Sequence, residues 1–460
     1  MAETGFRTQD PRTGEVLDRF ETHSDSAVQD RLSQGSAGFA EWSARSMAER
    51  AGVVARAAEL FDERRQDLAA VAALEMGKPL DQADEEITEC VEIFRYYAQH
   101  GAELGADRPL AEDAERTAVI QHLPLGPLLG IMPWNFPFYQ VARFAAPNLM
   151  LGNTILLKHA ETVPGCALAL EQLLADAGLP AGAYQNVFAT HEQVETIIAD
   201  DRICGVSLTG SERAGSAVAA LAGKHLKKVV LELGGSDAHI YLDMEDPAAA
   251  AREALENRLF VMGQACTSNK RLVVMQDQAE DFTAALAEAA AELQPGDPLE
   301  PADGRYYPLS SRTAAETVAA QVARAVEQGA VRHTGGELDG GKGAWISPTV
   351  ISGVTEEMDL FREEIFGPVA VVYAVPDAEA AVSLANSSPY GLGGAVYSAD
   401  ADRATEVAQR LEVGMANVNV PGSEMAEMPF GGVKRSGFGR ELGPLGMDEF
   451  VNKRLLYVGR

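Results

Sequence analysis

Cys266 is the residue whose sequence surroundings best suit a nucleophile. It lies in the segment GQACT, residues 263–267, where small side chains leave the thiol sterically open. An accessible thiolate can attack an electrophilic carbon. The other cysteines, Cys90, Cys166 and Cys204, stand at no metal-ligand or redox-motif spacing, and an isolated cysteine is most often a small buried hydrophobe. Covalent catalysis is therefore predicted for Cys266 alone, and no metal site is expected.

Two polar residues could assist such a nucleophile. Glu232 interrupts the apolar run VVLELGG, residues 229–235. It is either a strand-end carboxylate turned toward solvent or a general base whose pKa is raised by apolar surroundings. Asn135 stands between two prolines in MPWNFP, residues 132–137. Its amide either caps a helix or is a rigid donor for an oxyanion that develops on a carbonyl. The residues by themselves leave both alternatives open.

A glycine-rich turn and a lysine indicate where a nucleotide could bind. Gly210 and Ser211, followed by Gly215, can present backbone N–H groups at the start of a helix to a pyrophosphate. Their spacing is not the G-x-G-x-x-G fingerprint, so the signal is weak when it stands alone. Lys158 ends the apolar run TILLK, where a nucleotide ribose could lie at the edge of a sheet.

The hydrophobic pattern predicts two α/β units, whose strands and helices position these residues. Residues 26–100 show the three-to-four spacing of amphipathic helices. Apolar strand-like runs then alternate with helices, as in a parallel sheet with crossover helices. The expected strands include residues 154–158, 205–208, 229–233, 240–242, 272–275 and 370–374. A helix over residues 247–261 is expected to lead into the Cys266 segment.

Composition excludes several classes of partner. The chain has 38 basic and 68 acidic side chains, which leave a formal net charge of −30. Nucleic acids and anionic membranes bind basic surfaces, so neither is expected as a partner. The first ten residues are polar, and no apolar run reaches the length of a membrane span. A cytoplasmic protein is therefore expected.

Seven motifs, in this order, resemble the aldehyde dehydrogenase superfamily over essentially the whole chain. They are EMGKP (75–79), MPWNFP (132–137), LTGS (208–211), LELGG (231–235), GQAC (263–266), EEIFGP (363–368) and PFGGVKRSGFGRE (429–441). The resemblance implies an α/β fold with two Rossmann-like parallel-sheet domains, one for the cofactor and one catalytic, plus a small β oligomerisation arm. It places the NAD-binding domain at residues 1–105 and 125–233, the catalytic domain at 234–440, and the arm at 106–124 and 441–460. The short tail is as compatible with a homodimer as with a homotetramer.

The resemblance also implies roles for individual residues. Cys266 attacks the aldehyde, while the Asn135 amide and the Cys266 backbone N–H hold the oxyanion. Glu232 then activates water, so that the product leaves as a free carboxylic acid rather than a coenzyme A ester. The residues implied in cofactor binding are Trp134, Lys158, Glu161, Gly210, Ser211, Leu233, Glu364 and Phe366.

Cofactor and substrate preferences follow from two charged residues. Glu161 can accept hydrogen bonds from the ribose hydroxyls and would repel a 2′-phosphate, which predicts NAD in preference to NADP. Arg143 stands eight residues after Asn135, where bacterial short-form succinate-semialdehyde dehydrogenases, the nearest resemblance, bind the distal carboxylate. The predicted small-molecule substrate is succinic semialdehyde. The alternatives are a broad-specificity aliphatic aldehyde dehydrogenase, in which Arg143 has another task, and a non-catalytic protein like the lens crystallins of this family.

Some positions depart from the family pattern. Phe260 stands where some semialdehyde enzymes have a second arginine. Arg258, two residues earlier, either compensates for this arginine or has another task. Glu424 and Glu427 near the substrate entrance would repel an anionic aldehyde if they pointed inward. The positions assigned to a proton relay are Phe144 and Asn452, so Glu232 is expected to lose its proton by another route.

Overall fold

The computed structural model describes residues 5–112 and 115–459. A hairpin and a layer of helices come first, followed by two strands of the arm. These elements are β1 (Phe6–Gln9), β2 (Val16–Phe20), α1 (Asp25–Ala44), α2 (Met47–Glu63), α3 (Arg65–Met76), α4 (Leu80–Leu104), β3 (Arg108–Glu112) and β4 (Arg116–Pro124). Ser24 and Ser46 cap the starts of α1 and α2 with their side chains. In α4, Ile87, Val91 and Phe94 are buried at helical spacing.

Strands and helices then alternate along the chain. The first series is β5 (Pro127–Met132), α5 (Tyr139–Leu151), β6 (Thr154–His159), α6 (Pro164–Asp176), β7 (Tyr184–Asn186), α7 (His191–Ala199), β8 (Gly205–Thr209), α8 (Glu212–Lys224) and β9 (Lys228–Glu232). Every residue of β6 and β8 is buried, as expected for parallel strands that are covered on both faces.

A second series follows Glu232. It comprises β10 (Ala238–Tyr241), α9 (Pro247–Leu259), β11 (Arg271–Met275), α10 (Ala279–Glu292), β12 (Gln294–Pro295), β13 (Arg305–Tyr306), α11 (Arg312–Glu327), β14 (Val331–Thr334), β15 (Thr349–Ser352), β16 (Val369–Val375), α12 (Ala378–Asn386), β17 (Tyr390–Gly391), β18 (Gly393–Tyr397), α13 (Ala401–Ala408), β19 (Met415–Val418), β20 (Val433–Lys434), β21 (Gly437–Phe438), α14 (Gly443–Gly446) and β22 (Val451–Gly459). Short 3₁₀ turns lie at Phe260–Gly263 and Asp359–Phe361.

The strands assemble into two main sheets. The first has the order β21-β9-β8-β5-β6-β7 and is parallel except for β21, which pairs antiparallel with β9. The second has the order β14-β15-β16-β11-β10-β18-β19 and is parallel except for β14. The expected α/β class with two Rossmann-like parallel sheets is confirmed. β21 brings a late segment of the chain back to the first sheet, beside Glu232.

A third, antiparallel sheet forms the arm. Its order is β22-β4-β3, and β22 pairs with β4 along its length, from Val451 opposite Pro124 to Gly459 opposite Arg116. Leu455 and Tyr457 on β22 are 60% and 58% exposed. The predicted domain bounds stay predictions, and their residues 1–4, 113–114 and 460 lie outside the described part of the chain. Within the described ranges, no helix is long and apolar enough to cross a membrane.

Candidate active site

A cavity of about 390 Å³ opens beside Cys266. Arg143, on α5, lines the same cavity, so the structure brings the predicted nucleophile and the predicted substrate-binding arginine together. Aromatic side chains form part of the wall: Phe136, Tyr139, Phe260 and Phe430. Pockets of this size, apolar with a few polar groups, are typical small-molecule sites.

A strained turn presents Cys266 to the cavity. The helix expected over residues 247–261 ends at Leu259, because Val261 and Met262 adopt left-handed φ angles of 48° and 54°. Gly263 continues this conformation with a φ of 71°. Left-handed backbone costs about 1–2 kcal/mol for each non-glycine residue, so the surroundings must hold the turn in place. One contact comes from Gln82, whose Oε1 accepts the Val261 N–H at 2.8 Å.

Arg258 holds the same turn and is not available to a substrate. Its side chain is fully buried. Nη1 donates to the Ser268 hydroxyl at 2.6 Å, and Nε donates to the Val369 carbonyl at 2.7 Å. Nη2 donates to the carbonyls of Ile365 and Gly367 at 3.0 and 2.6 Å. Arg258 therefore links the Cys266 loop, residues 260–270 between α9 and β11, to the EEIFGP segment. It cannot replace the substrate arginine that is absent at position 260.

The surroundings of Cys266 disfavour its thiolate form. Burial raises the pKa of Cys266 to about 12, although the charges of Arg143 and Lys270 oppose this shift. Lys270 also fixes the loop, since its ammonium donates to the carbonyls of Ala265 and Cys266 at 2.8 and 2.7 Å. A thiol in this state needs a proton acceptor before it can attack a carbonyl.

Asn135 lies next to the nucleophile segment. Its Nδ2 donates to the Gln264 carbonyl at 2.9 Å, and the side chain is buried. An amide nitrogen carries two N–H donors, so one remains for a ligand. Asn135, the predicted oxyanion donor, thus contacts the chain at Gln264, two residues before Cys266.

A buried ion pair anchors the segment that follows Asn135. Lys78 and Glu86 lie 2.5 Å apart, and both side chains are fully buried. The second Glu86 oxygen accepts the N–H groups of Phe138 and Tyr139 at 2.7 and 3.0 Å, at the start of α5. The Lys78 ammonium also lies 3.9 Å from the ring centre of Phe136. The EMGKP motif therefore supports the wall of the site through Lys78.

Glu232 is buried at the end of β9, and its two carboxylate oxygens have no hydrogen-bond partner among the described residues. Burial raises the pKa of Glu232 well above its usual range. The charge of Glu441 raises it further, whereas Arg143 lowers it. Gly431 leaves room for this carboxylate, since a Cβ there would lie 2.6 Å from Glu232 Oε1. A buried carboxyl of this kind suits a general base or acid.

Glu441 is a residue that the sequence analysis did not single out. It is buried, and its Oε2 lies 2.8 Å from Nε of Arg143. The negative charge of Glu441 raises the pKa of Glu232. Asn452, at a relay position of the family pattern, pairs with Leu123 in the arm. The signal that could have identified Glu441 is the end of the PFGGVKRSGFGRE motif, which brings β21 alongside β9.

Glu364 and Phe366, the residues implied in nicotinamide binding, both lie near Lys270. Trp134, which the resemblance implies on the adenosine and phosphate side, meets Phe366 edge to face with ring centres 5.8 Å apart. Glu364 accepts the Gly235 N–H at 3.1 Å and pairs with Lys270 at 3.1 Å. A Cβ on Gly234 would overlap the Glu364 carboxylate, so a larger residue there would require this side chain to shift.

The residues implied in adenosine and phosphate binding lie at the carboxyl ends of the first sheet's parallel strands. Lys158 is the penultimate residue of β6, Gly210 and Ser211 follow β8, and Leu233 follows β9. Ser211 caps α8 by accepting the Ala214 N–H. Carboxyl ends of parallel strands and helix N-termini are the usual nucleotide-binding places of such sheets.

Comparison with known proteins identifies the family. A family model described as the aldehyde dehydrogenase family matches residues 1–456. The chain belongs to the aldehyde dehydrogenase family. It is 49% identical to a protein of Deinococcus radiodurans named succinate-semialdehyde dehydrogenase [NADP(+)], over 99% of this chain and 95% of that protein. It is 40% identical to an Escherichia coli K12 protein named succinate semialdehyde dehydrogenase [NAD(P)+] Sad, over 98% and 97% of the two chains.

Solved structures agree with this assignment. A succinic semialdehyde dehydrogenase from Streptococcus pyogenes, in complex with NADP+, superposes with a TM-score of 0.95 at 38% identity. The match covers 99% of this chain and all of that one. As an aldehyde dehydrogenase, the protein is an NAD(P)-dependent oxidoreductase that acts on small-molecule aldehydes. The predicted family and enzyme class are confirmed.

The prediction that NAD is preferred over NADP is wrong. It conflicts with the relatives named for NADP(+) and with the NADP+-bound structure. The physical reason lies in the neighbour of Glu161, whose carboxylate forms an ion pair with the Lys158 ammonium. Burial opposes ionisation of Glu161, but Lys158 leaves the pKa of Glu161 lower than usual. The Lys158 ammonium thus offsets the charge of Glu161. Glu161 therefore repels a 2′-phosphate less than the unpaired carboxylate on which the NAD prediction depends.

Proposed function

We propose that this aldehyde dehydrogenase oxidises succinic semialdehyde to succinate with NADP+. Arg143 carries this proposal, because its guanidinium lines the cavity of Cys266 and its Nη2 has no hydrogen-bond partner among the described residues. The guanidinium lies 3.9 Å from the Phe430 ring centre and 5.0 Å from that of Tyr139, which orients it. A carboxylate at the far end of a short aldehyde would supply the missing acceptor. The names of the relatives support the same substrate.

The chemistry would begin at Cys266. Its sulfur attacks the aldehyde carbon, and the free N–H of the Asn135 amide, together with the Cys266 backbone N–H, stabilises the oxyanion that forms. The thiol proton must leave first, and the raised pKa of Glu232 makes its carboxylate a proton acceptor strong enough for this task. Loss of hydride from the tetrahedral adduct leaves a thioester on Cys266.

Release of the product would depend on Glu232. Glu232 must first release the thiol proton to solvent. Its carboxylate then removes a proton from water, the resulting attack on the thioester carbon frees the carboxylic acid, and the proton on Glu232 returns to the leaving thiolate to restore the thiol. The charge of Arg143 favours the ionised form of Glu232, whereas the charge of Glu441 disfavours it. The three residues together therefore set how readily this base is available at neutral pH.

The cofactor would lie between the first sheet and the Cys266 loop. When bound, the nicotinamide accepts the hydride of the aldehyde. Glu364 would hold its ribose and Phe366 would pack nearby, with Trp134 beside them. Gly210, Ser211 and Leu233 would border the pyrophosphate, and Lys158 and Glu161 would face the adenosine ribose. A lysine that is 6% exposed at the end of β6 can offer its ammonium to a 2′-phosphate.

A broad preference for aliphatic aldehydes is the second candidate. It is favoured by the ion pair between Arg143 and Glu441, which engages part of the guanidinium in structure rather than binding. The carboxylates of Glu85, Glu89 and Glu424 also line the cavity and would oppose an anionic substrate.

The domain roles and the assembly form part of the proposal. Residues 1–105 and 125–233 would bind the cofactor, residues 234–440 would supply the nucleophile, and residues 106–124 with 441–460 would join subunits. The exposed apolar side chains of Leu455, Leu456 and Tyr457 on β22 support association of the arm with a second copy, as a homodimer or homotetramer. Light scattering coupled to gel filtration would test this, because a monomeric mass would contradict it.

The test of the substrate is a comparison of kcat/KM for succinic semialdehyde and butyraldehyde with NADP+. The two aldehydes have similar length, and only one carries a carboxylate. A charged hydrogen bond to Arg143 contributes about 1.5–3 kcal/mol, which corresponds to a preference of about 10- to 150-fold for succinic semialdehyde. A ratio near one would favour the broad-specificity alternative.

A further inference from the structure

Lys270 is a buried lysine whose three donors are all used inside the protein. It is the last residue of the Cys266 loop, and its side chain is 1% exposed. Two N–H groups donate to the carbonyls of Ala265 and Cys266, at 2.8 and 2.7 Å. This leaves the third for the Glu364 carboxylate, whose Oε1 is 3.1 Å away. Because an ammonium has three donors and no acceptor, nothing on Lys270 remains for a substrate.

These contacts hold the two peptide groups on either side of the Cys266 Cα. The Ala265 carbonyl belongs to the same peptide group as the Cys266 N–H, and the Cys266 carbonyl belongs to the next one. A peptide group is planar, so a restraint on its carbonyl oxygen also restrains the direction of its N–H. Only two soft dihedral angles lie between these two planes. Lys270 therefore restrains the backbone of Cys266 on both sides of the thiol.

The Cys266 N–H itself has no acceptor. Within residues 5–112 and 115–459, no backbone or side-chain oxygen accepts it. The Asn135 amide, which donates to the Gln264 carbonyl at 2.9 Å, keeps a second unused N–H beside the same loop. Unused donors next to a nucleophile are what a developing oxyanion requires. A charged donor on the carbonyl of a peptide group also polarises that group, which strengthens its N–H as a donor.

We propose that Lys270 is a positioning residue of the oxyanion site: its ammonium aligns and polarises the Ala265–Cys266 peptide group, so that the Cys266 N–H stabilises the developing oxyanion. The proposal rests on Cys266 as the nucleophile, as proposed above, but on no particular aldehyde. One alternative is a lysine that only supports the loop, as Arg258 does through other carbonyls. The other is an effect on the thiol, since burial raises the pKa of Cys266 and the charges of Arg143 and Lys270 oppose this shift.

Two reactions of the same thiol separate these possibilities. With 4-nitrophenyl acetate, the Cys266 sulfur forms a bond to the carbonyl carbon through a tetrahedral oxyanion, and 4-nitrophenolate leaves. With iodoacetamide, the sulfur displaces iodide and no oxyanion forms. Both reactions consume the thiolate, so the quotient of their rates cancels a change in the thiol pKa or in access to the loop. Neither reaction requires an aldehyde or a nicotinamide cofactor.

The variants are compared by this quotient of acylation rate to alkylation rate, followed by mass spectrometry of the peptide that contains residue 266. Lys270→Met removes the ammonium and should lower the quotient by about 10- to 100-fold, since removing an oxyanion donor outright costs about 100- to 1000-fold. Lys270→Gln retains a neutral donor, which forms hydrogen bonds about half as strong. It should lower the quotient less than methionine does, and it serves as the test if Lys270→Met does not fold.

The matched control is Gln82→Met. Gln82 supports the same loop, but at the Val261 N–H rather than at either peptide group of Cys266. This variant should leave the quotient within about threefold of the wild-type value. An equal fall in Gln82→Met and Lys270→Met would contradict the proposal, because general loosening of the loop would then explain both.

The proposal would also be overturned if both substitutions at position 270 left the quotient within about threefold of the wild type. Acylation and alkylation would then depend on Lys270 equally, as a supporting role or an effect on the thiol requires. Failure of the Cys266 assignment is recognised separately with Cys266→Ser. Acylation that persists in that variant at the wild-type rate would show that another residue is the nucleophile, whatever the role of Lys270.

Discussion

Glu86→Gln should destabilise the protein strongly, because it leaves a buried ammonium without a counter-ion. The side chains of Lys78 and Glu86 are fully buried and 2.5 Å apart. Glutamine keeps the shape of the side chain, and its oxygen could still accept the N–H groups of Phe138 and Tyr139. Its amide nitrogen, however, would face the Lys78 ammonium with donors only. Removing one partner of a buried pair typically costs about 3–5 kcal/mol, and we expect a loss in that range.

The pH dependence of this loss has a definite sign. Burial already lowers the pKa of Lys78, and Glu86 opposes this effect. In the variant the folded-state pKa of Lys78 falls further below its unfolded value, so the unfolded state binds more protons at neutral pH. Stability then rises with pH until the unfolded lysine also loses its proton. The destabilisation by Glu86→Gln should therefore be larger at pH 7 than at pH 9.

Urea denaturation followed by tryptophan fluorescence would measure the effect. Trp42 is a suitable reporter because it is fully buried and donates to the Leu149 carbonyl in α5 at 2.9 Å. Glu92→Gln, an exposed position on the same helix, is the matched control. Combining Glu86→Gln with Lys78→Met should recover much of the loss, since no charge is then left unpaired. A loss under about 1 kcal/mol, or a double variant no more stable than the single one, would refute the reasoning.

Three further outcomes are expected. Cys266→Ser should lower kcat, measured by NADPH absorbance, by at least about a thousandfold, because a serine hydroxyl is a far weaker nucleophile. NADPH should still bind, as measured by fluorescence titration. Substantial turnover would contradict the assignment of Cys266 as the nucleophile. Lys158→Met should raise KM for NADP+ about tenfold more than KM for NAD+, through loss of a charged hydrogen bond; equal changes would exclude contact with the 2′-phosphate. Burial raises the pKa of Glu89 to about 7. As pH rises from 6 to 8, ionisation of Glu89 should lower the kcat/KM ratio of succinic semialdehyde to butyraldehyde by about fivefold, and a ratio that does not change would contradict the role of this carboxylate.

The candidate site residues that lie within short motifs could be predicted from the sequence. Cys266, Asn135 and Glu232 could be selected because the immediate sequence neighbours of each residue already suggest its chemistry. The structure brings the first two together through the hydrogen bond from Asn135 to Gln264. Two parallel sheets also followed from alternating apolar runs and helices, since that periodicity reports directly on burial.

Contacts between distant segments could not be predicted in the same way. Arg258 was considered for the substrate, but it donates instead to carbonyls between Ile365 and Val369, and backbone carbonyls leave no trace in a sequence. Glu441 was overlooked because only the pairing of β21 with β9 shows that it approaches Glu232. The left-handed turn at Val261 contradicts the preference of a β-branched residue, and tertiary contacts impose it.

The wrong cofactor prediction has a related cause. Glu161 was considered without its neighbour, although Lys158 stands three residues earlier in the chain. The ion pair between them depends on how the chain turns after β6, which the hydrophobic pattern does not describe.

The most direct test of the account is the effect of Arg143→Gln on the two aldehydes that differ in the carboxylate. With NADP+, kcat/KM for succinic semialdehyde should fall by about 10- to 150-fold, the loss expected for one charged hydrogen bond. The value for butyraldehyde, which has no carboxylate to lose, should change by less than about threefold if Arg143 acts on substrate binding. Equal falls for both aldehydes would contradict the account and would assign Arg143 to supporting Glu232 and Glu441 instead.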